Sequence, residues 1–115
     1  MYVRALDVVE RPHCRTIYRI FTRDEWQQAL AHNHFSGNEL DRRDGFIHLS
    51  SREQVAGTLD KYFSDTADVV IAEIDAVMLG ENLRWEPSRD GQLFPHLYGT
   101  LPLTAIVRTL DRLDF

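Results

Sequence analysis

From residue 16 onward, apolar residues come in short runs that switch between the alternating period of a strand and the wider period of a helix. Thr16 to Phe21 (TIYRIF) is β-branched and aromatic, the composition of a strand. It runs into Thr22-Arg23-Asp24-Glu25, a capping box in which Thr22 accepts from the Glu25 amide and Glu25 reaches back to Thr22. A helix ending near His32 is predicted, with Trp26, Ala29 and Leu30 as its buried stripe. His32 to Gly45 (HNHFSGNELDRRDG) is polar and turn-rich and reads as a surface excursion. Phe46 to Leu49 is a short strand that ends at Ser50. Ser51-Arg52-Glu53-Gln54 is a second capping box, and the helix it opens runs from about Arg52 to Phe63, burying Val55, Leu59 and Tyr62 or Phe63.

Asp68 to Asp75 (DVVIAEID) is almost continuously apolar, the pattern of a central strand covered on both faces. After a turn at Gly80, NLRWEP is a short strand, SRDG a turn, and QLFPHLYG an extended segment whose proline suits an edge or a strand start. Thr104 to Leu110 is the last strand. Residues 1–14 lack a clear period and read as a lead-in strand or arm, leaving 15–115 as one α+β domain with about two helices. At 115 residues, with 43% hydrophobic and 27% charged positions, the chain is long enough for one core.

The net charge is −5, and its basic residues are scattered, which argues against nucleic acid. No apolar run is long enough to span a bilayer and no signal-peptide core is present, so the expected location is cytoplasmic. The single cysteine, Cys14, has no disulfide or zinc partner and fits a reducing compartment as a small, partly buried apolar residue.

The candidate chemistry lies in two matched segments, Phe46-Ile47-His48-Leu49-Ser50 and Phe94-Pro95-His96-Leu97-Tyr98. Each places an aromatic ring, a histidine and a hydroxyl on one face of an extended chain, and each follows an Asp-Gly pair, Asp44-Gly45 and Asp90-Gly91. Facing one cleft, they would offer two imidazoles with Glu86 between them in sequence, beside Trp85. A single strand histidine is as often a half-buried residue satisfied by a carbonyl, but two matched motifs favour a lined pocket. His48, His96 and Glu86 are the candidate catalytic residues; Phe46, Ser50, Trp85 and Tyr98 are candidate ligand contacts. His13, His32 and His34 belong to polar stretches at the surface.

A serine nucleophile at Ser50 is disfavoured, because His48 lies two positions away on the same strand and no G-x-S-x-G elbow is present. A metal triad of His48, His96 and Glu86 lacks any supporting spacing, and the isolated glycines make no phosphate-binding loop. Acid-base work by one histidine with the other as donor fits the residue types.

IYRI, Trp26, DGFIHLSS with Gln54, LRWE and FPHLYG together resemble the signature blocks of a small, mostly bacterial family known only as a domain of unknown function. The resemblance runs from about Ile17 to Val107. That family is grouped with ADP-ribosyltransferase-like folds, so it implies a split, mixed β-sheet and a cleft that in the transferases holds NAD. His48 is then the counterpart of the strand histidine that orients the cofactor, and Tyr98 of the tyrosine that stacks on nicotinamide. Glu86 precedes Tyr98, whereas the transferases place their glutamate last, and only Asp111 and Asp114 follow. The resemblance therefore implies a pocket for a nucleotide or related small molecule without implying the transfer. The alternatives are a metal-dependent or acid-base enzyme on another small substrate and a protein-interaction module.

Overall fold

In the computed structural model, residues 15–88 and 91–115 are described. The expected arm at 1–14, with His13 and Cys14, and Asp90 of the second Asp-Gly pair lie outside the described residues. The elements follow the order β1 (Thr16–Thr22), α1 (Arg23–His32), β2 (His34–Phe35), α2 (Glu39–Asp44), β3 (Ile47–His48), α3 (Arg52–Tyr62) and β4 (Val69–Asp75). A 3-10 segment (Ala76–Asn82) leads into β5 (Leu83–Pro87), β6 (Leu93–Leu97), β7 (Leu101–Pro102) and β8 (Ile106–Leu110).

The strands form three sheets, ordered β1-β4-β8, β2-β7 and β3-β6-β5. Every pairing among the described residues is antiparallel, so the expected mixed sheet is not found. Without βαβ crossovers, antiparallel ladders are the available solution. β4 is central, as its apolar run predicts.

β1 and β4 are buried on both faces. Ile17 and Phe21 of β1 point to the larger core with Ile47, Leu49 and Leu97, while Tyr18 and Ile20 point to a second cluster with Val55 and Leu59 of α3. α1 begins at the expected box, with Thr22 Oγ1 accepting from the Glu25 N–H and Glu25 from the Thr22 N–H, each at 3.2 Å. Ala29 is buried and Trp26 packs on Phe21 with ring centroids 5.3 Å apart. Leu30 is 47% exposed, so the expected stripe is narrower. It lies on the side of the half-buried Trp26 away from Ala29, where the helix turns toward solvent.

The excursion from His32 to Gly45 is more ordered than its polarity suggests. Phe35 pairs with Leu101 and is buried, and Asn38 starts a third helix, α2. Pro95 lies within central strand β6 and not at an edge. Its carbonyl accepts from the Leu49 N–H at 3.1 Å, at the point where the short β3 ladder ends, so the N–H that proline lacks has no ladder position to fill.

Candidate functional site

Asp41 organises the site from the first turn of α2. Its carboxylate accepts from the Asn38 N–H at 2.8 Å, while Asn38 Oδ1 accepts from the Asp41 N–H at 3.0 Å, a reciprocal cap. Gly37, at φ 103°, lies so close that a Cβ there would stand 2.9 Å from the Asp41 Cβ, and the backbone conformation itself favours glycine. The other carboxylate oxygen meets three groups: Arg19 Nη1 at 3.0 Å, the His48 N–H at 3.1 Å and His48 Nδ1 at 2.6 Å. Burial alone would raise the Asp41 carboxyl, but the bond from His48, the charge and bond of Arg19 and the Asn38 amide outweigh it and hold the group well below the usual carboxylate range.

Arg19 lies between Ile17 and Phe21 on the core face of β1, with its side chain 6% exposed. Besides Asp41, it donates to the His48 carbonyl at 3.0 Å, and its guanidinium carbon lies 4.7 Å from the Phe35 ring centroid. Its Nε is buried without a hydrogen-bond partner.

His48 bonds on both sides, because its Nε2 lies 2.9 Å from Asp44 Oδ2, which accepts. Asp44 is the last residue of α2, and Gly45, at φ 89°, closes the helix with a backbone bond to the Asp41 carbonyl. The Asp-Gly pair legible in the sequence is thus a helix C-cap that delivers a carboxylate to the ring.

His48 and His96 are cross-strand partners, so their side chains leave the sheet on the same face. Their ring centroids are 5.9 Å apart. Phe46 stacks on His96 at 3.9 Å and touches His48 at 4.7 Å. His96 Nδ1 lies 2.7 Å from Glu86 Oε1, which also accepts from the Tyr98 hydroxyl at 2.7 Å. The bonds from His96 and then Tyr98 lower the Glu86 carboxyl below its usual range, and donation to Glu86 raises the Tyr98 phenol.

A cavity of about 580 Å³ opens along the outer edge of β1. Tyr18, Arg19 and Ile20 form one wall; Leu40, Asp41, Arg43 and Asp44 of α2 another; Thr58, Tyr62 and Phe63 of the α3 end a third. His48, Ser50, Phe94 and His96 also line it.

Of the sequence-predicted residues, His48, Ser50 and His96 therefore share the cavity. Glu86, Tyr98 and Phe46 do not line it and stand behind the two imidazoles. The Tyr98 ring contacts Phe46 at 5.4 Å and has the Arg84 guanidinium carbon 4.7 Å from its centroid, so it is not a stacking platform in the cavity. Trp85 packs against the larger core. Ser50 is buried, with its Oγ 3.3 Å from Thr58 Oγ1, and is no histidine-activated nucleophile. Among the described residues no group of three or more histidine, cysteine, aspartate or glutamate side chains is placed to hold a metal ion.

Sequence reasoning missed Arg19, Asp41 and Asp44. A lone arginine inside TIYRIF was the available signal, since a charge on a strand buried on both faces demands a partner. Asn38-x-x-Asp41 had the spacing of a cap but lacked the apolar run that announces a helix.

These features define a small antiparallel α+β protein with a two-histidine cluster beside an edge cavity. Residues 20–109 match the family described as "Protein of unknown function (DUF952)", and the chain belongs to that family. It is similar to protein CC0527 from Caulobacter crescentus: the crystal structure of that protein is 45% identical, with 84% of each chain covered and a TM-score of 0.80. Its solution NMR structure is 44% identical over the same shares, with a TM-score of 0.76. No curated protein matches the chain. Among the described residues, no helix is long and apolar enough to cross a membrane.

Proposed function

We propose that this chain is a cytoplasmic protein that binds a nucleotide or related small molecule in the cavity beside β1, the ligand class that the motif resemblance in its sequence implies. One observation carries the reading: two imidazoles from facing strands share a cavity whose volume lies within the range of small-ligand sites. Tyr18, Phe63 and Phe94 supply apolar surface for a planar ring, and Ser50 and the histidines supply polar ends. ADP-ribosyl transfer is not part of the proposal, because Glu86 is engaged by His96 and Tyr98 behind the cavity wall.

Thermal-shift and calorimetric titration with NAD, ADP-ribose and mononucleotides test it. A ligand at 100 times its dissociation constant adds about 2.7 kcal/mol, a shift of several degrees in a domain of this size. Tyr62→Ala, at a position 54% exposed on the rim, is expected to weaken binding several-fold with little change in Tm. If no nucleotide-class ligand binds, or if binding ignores the cavity wall, the reading is wrong.

A further inference from the structure

The two histidines are bonded in opposite ways. His96 gives its Nδ1 to the Glu86 carboxylate, and its Nε2 has no hydrogen-bond partner among the described residues although the residue lines the cavity. A carboxylate oxygen only accepts, so Nδ1 carries the hydrogen, and in the neutral ring Nε2 then presents a lone pair. Glu86 is itself fixed by the Tyr98 hydroxyl. His48 instead has a carboxylate on each ring nitrogen, Asp41 at 2.6 Å and Asp44 at 2.9 Å. With both carboxylates ionised, the ring donates from both sides and is an imidazolium. A lone-pair imidazole and a proton-bearing imidazole thus stand 5.9 Å apart on one cavity.

We infer that the cavity hydrolyses a phosphodiester bond of a nucleotide-class substrate, with His96 as general base and His48 as general acid. The inference rests on the proposed ligand site. Charge favours a diester over a monoester: Arg19 and Arg43 offset Asp41 and Asp44 on the lining, and the His48 imidazolium leaves one positive charge for a monoanion. In the reaction, His96 Nε2 takes a proton from water as the water oxygen bonds to phosphorus. The bond from phosphorus to the leaving oxygen breaks, and that oxygen takes the Nε2 proton of His48, which lets go of Asp44, the more exposed of its two carboxylates. Water and diester become monoester and alcohol, and proton exchange with solvent resets both rings. Glu86 is a positioning residue that holds the His96 ring and its tautomer.

The test measures hydrolysis of bis(p-nitrophenyl) phosphate and of 2′,3′- and 3′,5′-cyclic nucleotides, with p-nitrophenyl phosphate as the monoester comparison. Nucleotide binding is measured in parallel. At least one diester should turn over while the monoester does not, and His96→Ala should lower the rate by about 100-fold or more, with partial rescue by added imidazole. Glu86→Gln should lower kcat with KM unchanged and, at a part-exposed position, decides the matter if His96→Ala does not fold. Nucleotide binding without diester cleavage overturns the inference and leaves the binding reading standing. Undiminished turnover in the folded His96→Ala or Glu86→Gln protein, or equal cleavage of the monoester, also overturns it. Absence of both binding and hydrolysis removes both.

Discussion

Asp41 shows how one residue can hold a site together. Its side chain is 3% exposed and serves Arg19, His48 and the start of α2 at once. Because its folded carboxyl lies below the unfolded value of about 3.9, the stability it contributes is complete above about pH 4 and is lost as pH falls toward the folded value. One such group gives a slope of at most about 1.4 kcal/mol per pH unit. Denaturant titrations of the wild type and of Asp41→Asn, from pH 5 to pH 2, should show a steeper fall for the wild type. Parallel slopes would mean that Asp41 is not the titrating group. His48 and His96 were legible at this scale because each stands out within an apolar run. Asp41 was not, since its importance comes from Arg19, 22 positions away in sequence. Asp41 and Asp44 also hold the two ring nitrogens of His48. Replacing His48 disturbs a buried carboxylate as well as any ligand.

At the scale of elements, the caps were readable wherever four consecutive residues carried the whole device. Thr22 opens α1 as expected, and in α3 the Gln54 side chain accepts from the Ser51 N–H at 2.9 Å. The same Gln54 donates to the Leu93 carbonyl at 2.8 Å, tying the start of α3 to β6, a long-range bond that no local pattern reveals. Thr22→Ala and Asn38→Ala should each cost about 1 kcal/mol by chemical denaturation. They should differ in function: α1 contributes nothing to the cavity lining, whereas Asn38 sets the helix that carries Asp41 and Asp44. Asn38→Ala is therefore expected to weaken ligand binding and Thr22→Ala to leave it intact. Equal effects in a calorimetric titration would show that α2 does not position the site. β2 and β7 escaped the sequence reading because strands of two residues have no period to detect.

Across the whole molecule, stability is expected to be uneven. β4 is hydrogen-bonded on both sides and buried on both faces, while the β2-β7 ladder joins only two residue pairs. Native-state hydrogen exchange should find the amides of Val69–Asp75 opening only near the global unfolding free energy, and those of His34 and Phe35 at lower cost. Uniform protection would contradict this gradient. The α+β class, the single core-forming unit and the central place of β4 follow from patterns within the chain. The division into three sheets does not, because it depends on where one extended segment changes partners.

That segment is Ile47 to Ser50. Its first half pairs with β6; then Ser50 exchanges backbone bonds with Tyr18 of β1, at 2.8 and 2.9 Å. The chain thus stitches two sheets together directly beneath the cavity, and neither can rotate against the other without tearing the stitch. Clamshell closure that parts Ser50 from Tyr18 would break both bonds. Any tightening around a ligand falls to the outer walls, where α2 lies between Gly37 and Gly45 and the end of α3 carries Tyr62 at the rim.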